Sequence, residues 1–261
     1  MKSSFLLRGA LGALAAFTLT FATQLRGAEK SDARPKIVML ISEPEYDTAK
    51  SLPEFAAKFL TDFRVAIVSG QGPTPQEENR FDRIEEVADA DVLFVSVRRR
   101  TPPKEQLDAI RRHVAAGKPV VGIRTASHSF ALGKNQKLSD GGAVWPEWDA
   151  EVIGGNYSNH YTKGPPVTVT AAKPNHPILR GVTLPTTSES SLYKSAPLRA
   201  GAEAVIMGAI PGQTPEPLAW TFKRKDGGRT FYTSLGSVAD FKNPAFTQLL
   251  RNGVLWAATG K

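Results

Sequence analysis

The run of apolar and polar positions divides the chain into buried strands and one-sided helices. "PKIVMLI" (35–41) is a continuous apolar run, the pattern of a strand covered on both faces. It leads through "SEPEYD" into a helix whose Leu52, Phe55, Ala56, Phe59 and Leu60 share one side. "RVAIVSG" (64–70) and "DADVLFVSV" (89–97) read as the second and third strands. "TPPKEQLDAIRRHVAAGKP" (101–119) is a helix with Thr101 as N-cap, a Leu107, Ile110 and Val114 stripe, His113 on its polar side, and Gly117 then Pro119 at its end. "PVVGI" (119–123) is the fourth strand. Buried strands alternating with helices predict an α/β fold, a mostly parallel central sheet with helices on both faces. Ligands of such sheets bind beyond the carboxyl ends of the strands, which here are "SEPEYD", "SGQGP", "SVRRRTPP" and "RTASHSF".

The second half has a different rhythm. "PPVTVTAAKPNHPILRGV" reads as a strand and a turn, and "AEAVIMGAI", "PEPLAWTF" and "GRTFYTSLG" as strands separated by Gly, Pro and charged turns. "NPAFTQLLRNGVLWAATG" (243–260) closes the chain as a helix, with Asn243 as N-cap, Pro244 at N1 and Gly260 past its end.

Residues 1–28 read as a secretory signal peptide. Lys2 and Arg8 flank "ALGALAAFTLTFA" (10–22), an h-region too short to span comfortably, and cleavage fits after Ala22 or Ala28. The expectation is an exported, periplasmic protein with no stable membrane insertion after cleavage, and a single domain over 29–261 with its core at about 36–258. An uncleaved anchor is the alternative. The chain has no Cys, which excludes a disulfide framework, a thiolate metal site and a Cys nucleophile. The formal charge is +8; the first 28 residues hold Lys2, Arg8 and Arg26 and no acid, leaving +5. The dense basic runs, "RRR" at 98–100 and "KRK" at 223–225, read as solvated loops, and no basic stripe with stacking aromatics points to nucleic acid.

Four segments stand together: "GIRTASH" (122–128) after a strand, "GGNYSNHY" (154–161), "NHPILRGV" (175–182), and "LAWTF" with "GGRTFYTSLGSVADFKNPAFTQLLRNGVLWA" (218–257). In combination they resemble the ThuA-like family, named for trehalose utilisation, over roughly residues 36–258. The resemblance implies a flavodoxin-like fold related to class I glutamine amidotransferases, and a small-molecule carbohydrate as partner. It also implies that Arg124 stands where glutamine amidotransferases carry their Cys nucleophile. A guanidinium is always protonated and cannot attack an amide, so glutaminase chemistry is not expected. Many ThuA-like proteins have His at this elbow and "GH" near the last strand; here the residues are Arg124 and Gly236-Ser237.

The candidate catalytic residues are His128, His160 and Glu43. An imidazole shuttles protons near neutral pH, His160 lies in the segment the family pattern keeps, and Glu43 ends the first strand. Arg124, Ser127, Asn156, Tyr157, Asn159, Glu189 and Tyr193 are candidates for substrate binding. Arg124 offers five fixed donors suited to a carboxylate, a phosphate or vicinal hydroxyls, or else a structural ion pair with Glu43 or Glu189. Ser127 and His128 are neighbours in sequence, a position from which side chains seldom face each other, and "RTASH" is not a serine-hydrolase elbow. Amide, phenol and imidazole groups in "GGNYSNHY" suit a neutral polyol, and Glu189 and Tyr193 match an acidic residue before a Tyr in the family. A metal site built from His128, His160 and Glu43 has no characteristic spacing behind it; metal, other cofactors and oligomeric state are unknown from sequence. His176 in "NHPILRGV" reads as turn structure. An enzyme or accessory protein of carbohydrate use, a non-catalytic sugar-binding module, and a metal-dependent hydrolase or isomerase all stay open.

Overall fold

A nine-stranded sheet organises the chain. A computed structural model describes Met1, residues 32–70, 72, 74, 78–162 and 164–261. Residues 2–28 of the segment read as a signal peptide lie outside the described residues. Arg34–Lys261 forms one compact unit.

The strands are β1 (Lys36–Ser42), β2 (Arg64–Ser69), β3 (Val92–Val97), β4 (Val120–Ile123), β5 (Asn159–His160), β6 (Val167–Ala171), β7 (Thr186–Ser188), β8 (Tyr193–Lys194), β9 (Ala202–Ala209), β10 (Glu216–Lys223) and β11 (Arg229–Thr233). The main sheet runs β2-β1-β3-β4-β11-β10-β9-β6-β7. The first five are parallel neighbours, and β10, β9, β6 and β7 extend the sheet antiparallel. The parallel core is thus as the apolar runs predict. The antiparallel wing accounts for the turn-separated strands of the second half, whose short connections suit antiparallel neighbours.

Strand β1 shows why its sequence is continuously apolar. Ile37, Met39 and Ile41 join a core with Leu52, Phe55, Leu249, Leu250 and Val254, while Val38 and Leu40 face a second core with Leu107, Ile110 and Val114. Successive side chains of a strand point to opposite faces. One face therefore carries α1 (Thr48–Phe59) and α3 (Pro244–Thr259), and the other carries α2 (Lys104–Ala115). Helix α3 starts as expected, with the Asn243 side chain accepting from Ala245 N, and ends at Gly260 with φ 78°. Helix α2 ends in a Schellman motif: Gly117 N donates to Val114 O, Lys118 N to His113 O, and Gly117 takes φ 69°.

Several local expectations are corrected. The N-cap of α2 is Pro103, and Thr101 instead pairs with the Ser139 hydroxyl. His113 is buried, its Nε2 at 3.0 Å from Pro119 O, because the α2 C-terminus packs on the turn that follows it. The basic runs are not simply solvated. Arg100 is buried with Nε on Ser42 Oγ (2.7 Å) and Nη1 on Glu78 (3.1 Å). Arg224 is buried and bonds Asp226, Arg229 O, Thr230 Oγ1 and Lys118 O, stapling β10 and β11 to the loop after α2. A guanidinium has enough donors to close such a network of carbonyls. His176 does serve its turn, its Nδ1 accepting from Ile178 N.

Candidate functional site

The carboxyl end of β4 carries the centre of the site. Its last residues turn directly into a short 3-10 segment, Arg124–His128, in which every residue is buried. Arg124 has φ 49°, a left-handed value rarely taken by side-chain-bearing residues. The neighbours that hold it there are specific. Tyr232 Oη donates to Arg124 O at 2.5 Å, and Trp148 Nε1 donates to Ala126 O at 2.7 Å. A Cβ on Gly122 would meet Ala126, Ile153 and Tyr232 at 3.1 Å each, so the sharp turn needs glycine two residues upstream.

The strained turn aims the Arg124 side chain, 1% exposed, at groups from three other segments. Nη1 donates to Ser191 O (3.1 Å) and Ser234 O (2.6 Å), and Nη2 to Ser191 Oγ (2.8 Å) and Tyr46 Oη (3.4 Å). The guanidinium carbon lies 4.3 Å from the centre of the Tyr193 ring and 4.7 Å from that of Tyr46. The ion pair with Glu43 or Glu189 weighed from sequence is not formed. Glu189 is exposed and outside this cluster. The Glu43 carboxylate accepts from Glu45 N, Tyr46 N, Thr48 N and Thr48 Oγ1, and so ties the β1–α1 loop that presents Tyr46.

A stack of rings continues from Arg124. His128 lies 4.4 Å from Tyr157 at an interplanar angle of 21°, Tyr157 lies 4.8 Å from Tyr193, and His160 stacks on Tyr193 at 6.2 Å. Backbone pairing explains the convergence: β5 and β8 form a two-stranded ribbon in which His160 sits opposite Tyr193 and Asn159 opposite Lys194. Asn156, Asn159 and His160 are exposed on the rim; Asn159 Oδ1 accepts from His160 N, and His160 Nδ1 contacts Tyr161 O at 2.9 Å. Contrary to expectation for sequence neighbours, Ser127 Oγ lies 3.0 Å from His128 Nδ1, because the tight turn rotates the two side chains together.

Electrostatics set the protonation of this group. Burial first, then the charges of Arg99, Arg98 and Arg124 and the His160 ring, push His128 down to about 3, so it is neutral at physiological pH. Burial also pushes the Tyr157 and Tyr193 phenols up. Among the described residues no three His, Asp or Glu side chains come together to hold a metal, so His128, His160 and Glu43 do not make the ligand set considered from sequence.

The sequence reading missed Tyr46, Trp148, Asp149, Ser191, Tyr232 and Ser234. Asp149 Oδ2 accepts from Tyr157 N at 2.6 Å, while its Oδ1 is buried without a partner; burial raises it to about 6. A Cβ on Gly155 would lie 2.8 Å from that Oδ1, so the "GG" lets the ring-bearing loop pass over a buried carboxyl. The acid in "WDAEVIGG" was the available signal for Asp149, and "SEPEYD" at a strand's carboxyl end for Tyr46.

Comparison with known proteins agrees with this architecture. A family model described as trehalose utilisation, ThuA, matches residues 73–257. A ThuA-like protein from Parabacteroides merdae ATCC 43184 is 17% identical with a TM-score of 0.59, over 87% of this chain and 91% of that one. A protein named as a GMP synthase component from Thermoplasma acidophilum is 11% identical with a TM-score of 0.53, over 87% of this chain and 96% of that one. At these identities the structural likeness establishes the fold alone: a large mixed sheet, parallel in its core, of the flavodoxin-like type shared with glutamine amidotransferases. None of the curated proteins matches this chain.

Proposed function

The chain belongs to the ThuA, trehalose-utilisation family, and on that premise we propose that it binds a carbohydrate, trehalose or a related glycoside, at the carboxyl end of its parallel strands. The observation that carries this reading is the stack of His128, Tyr157, Tyr193 and His160, rimmed by Asn156 and Asn159. The exposed His160 ring and the half-buried Tyr157 ring offer apolar surface for the C–H face of a sugar, and the exposed amides of Asn156 and Asn159 match its hydroxyls. The site is not a glutaminase: a protonated guanidinium occupies the elbow, and the sequence holds no Cys. We also place the protein outside the cytoplasm, on the strength of its signal-like first 28 residues; no helix among the described residues is long and apolar enough to cross a membrane.

A second reading, a sugar-binding module without turnover, is favoured by one observation. His128, held neutral down to about 3, has no proton to give at neutral pH and little basicity to take one. Proton transfer would then fall to exposed His160. Thermal shift of the full chain with trehalose and other glucosides tests both readings, since a ligand stabilises the native state it binds. A sugar-dependent shift that is lost in Tyr157→Ala supports the carbohydrate site; no shift with any sugar refutes it. His160→Ala separates the two readings: turnover lost with the shift retained means an enzyme, and an absence of turnover in the wild type means a module.

A further inference from the structure

We propose that the Arg124 guanidinium anchors an anionic group on the ligand, so that the site takes an acidic sugar bearing a carboxylate or a phosphate. The inference rests on the carbohydrate reading above and narrows its substrate class. A buried charge is expensive unless it is paired, yet Arg124 is 1% exposed and no carboxylate contacts it among the described residues. All its acceptors are neutral: two backbone carbonyls, a Ser hydroxyl and a Tyr hydroxyl.

The pattern of these bonds leaves a particular edge of the guanidinium unused. Nη1 is saturated by Ser191 O and Ser234 O, at 3.1 and 2.6 Å. Nη2 holds Ser191 Oγ firmly at 2.8 Å, but its second contact, to Tyr46 Oη, is 3.4 Å, the longest of the four. Nε is buried with no partner at all. The Nε and Nη2 hydrogens form the side-on fork of a guanidinium, the edge that takes two oxygens of one carboxylate or phosphate. The partly exposed Tyr46, on the β1–α1 loop, makes the weakest of the Nη2 contacts, and its departure would free an Nη2 hydrogen next to the already unpartnered Nε. The buried Tyr193 ring, 4.3 Å from the guanidinium carbon, and the two carbonyls on Nη1 keep the fork's direction fixed when Tyr46 moves.

The surroundings share the same sign. Arg98 and Arg99 follow β3 close enough to His128 to disfavour its charged form. Arg98 is paired with Glu45 at 2.8 Å, whereas Arg99 Nη1 donates to Leu132 O at 2.9 Å. Among the described residues, neither Arg99 nor Arg124 has a carboxylate partner beside a histidine that stays neutral, and a ligand anion would supply that charge. Backbone strain at Arg124, with φ 49°, is stored at the residue that would make the contact.

Isothermal titration of the full chain with matched probes tests this: D-glucose, D-glucuronate, D-glucose 6-phosphate and inorganic phosphate. We expect one or both acidic sugars to bind at least about tenfold more tightly than D-glucose, the range of a charge-assisted hydrogen bond. The preferred acid identifies the anion as carboxylate or phosphate. That margin should vanish in Arg124→Met and survive in Tyr46→Phe, which removes only the competing hydroxyl. Where Arg124→Met does not fold, Arg124→Lys, which keeps the charge and loses the fork, should lose most of the margin. Equal binding of D-glucose and both acids, within about twofold, overturns the anion anchor and leaves the carbohydrate reading intact. Binding of inorganic phosphate with no sugar bound keeps the anchor and overturns the carbohydrate reading. No binding of any probe overturns the anion anchor, and the thermal shift with trehalose then decides the carbohydrate reading.

Discussion

Acidification offers a direct measure of how tightly the site is built. His128 is 7% exposed, and burial with the nearby charges of Arg99, Arg98 and Arg124 depresses it from 6.5 to about 3. In the unfolded chain the same imidazole takes up a proton once pH falls below about 6.5, whereas the folded protein refuses it until about 3. The sign follows: the contribution is fully present above pH 6.5 and is lost as pH falls toward 3. The gap is about 3.5 pH units, worth about 5 kcal/mol in total, of which about 3 kcal/mol is lost by about pH 4.5. Other groups bend the same curve. Buried His113, lowered to about 4, acts in the same sense, and Asp149, raised to about 6, acts in the opposite one between pH 6 and 4. The clean quantity is therefore the difference between wild type and His128→Gln, which leaves a neutral amide to face Ser127 and cannot titrate. Urea unfolding followed by Trp fluorescence at about pH 7.5 and about pH 4.5 reads both proteins. Wild type should lose about 3 kcal/mol more than the variant between the two conditions. Equal losses, within about 1 kcal/mol, would refute the claim that His128 is held neutral by burial and its arginine neighbours.

Two further substitutions test the supports of the site. Asp240 is 2% exposed and accepts from Ser188 Oγ, Ser190 Oγ, Gly236 N, Ser237 N and Ser237 Oγ, fixing segments next to the two carbonyls that hold Arg124. Asp240→Ala strands two backbone N–H groups and should cost about 3 kcal/mol in urea unfolding, Asp240→Asn about 1 kcal/mol; an Ala variant as stable as wild type sinks the idea. Gly155→Ala puts a Cβ 2.8 Å from Asp149 Oδ1 and 2.9 Å from Trp220 Cζ2, and should cost about 1–3 kcal/mol. Gly164→Ala, whose Cβ would meet only Thr162 O at 3.6 Å, should leave the melting temperature unchanged, and equal effects at the two glycines would count against close packing beneath the loop.

The parallel half of the fold is legible because its information is local. A strand buried on both faces must be apolar throughout, and "PKIVMLI" and "DVLFVSV" are. The helix ends carry their own marks, Asn243-Pro244 at one start and Gly117 and Gly260 at two ends. What fails is the environment of single polar residues. His113 looks solvent-facing by helical phase, yet the Schellman turn folds Pro119 over it. Arg100 and Arg224 look like members of charged loops, yet Arg100 is buried against the Ser42 hydroxyl and the Glu78 carboxylate, and Arg224 against the Lys118 carbonyl, partners far away in sequence.

The site divides along the same line. Gly122 before a polar turn at a strand's carboxyl end is a local signal, and the backbone there does adopt the sharp elbow, with Arg124 at φ 49°. The groups that give the elbow its chemistry come from pairings made far away. Tyr193 reaches Arg124 only because β8 pairs with β5, Ser234 because β11 lies beside β4, and Tyr46 because Glu43 folds the β1–α1 loop back with four hydrogen bonds. A carboxylate at Glu43, readable as a base from its place in the sequence, is spent on that loop. An elbow with a charged, non-nucleophilic residue keeps its strain for a reason other than attack. Each contact that maintains φ 49° also fixes where the guanidinium points, so orientation of a cation is the property this architecture preserves.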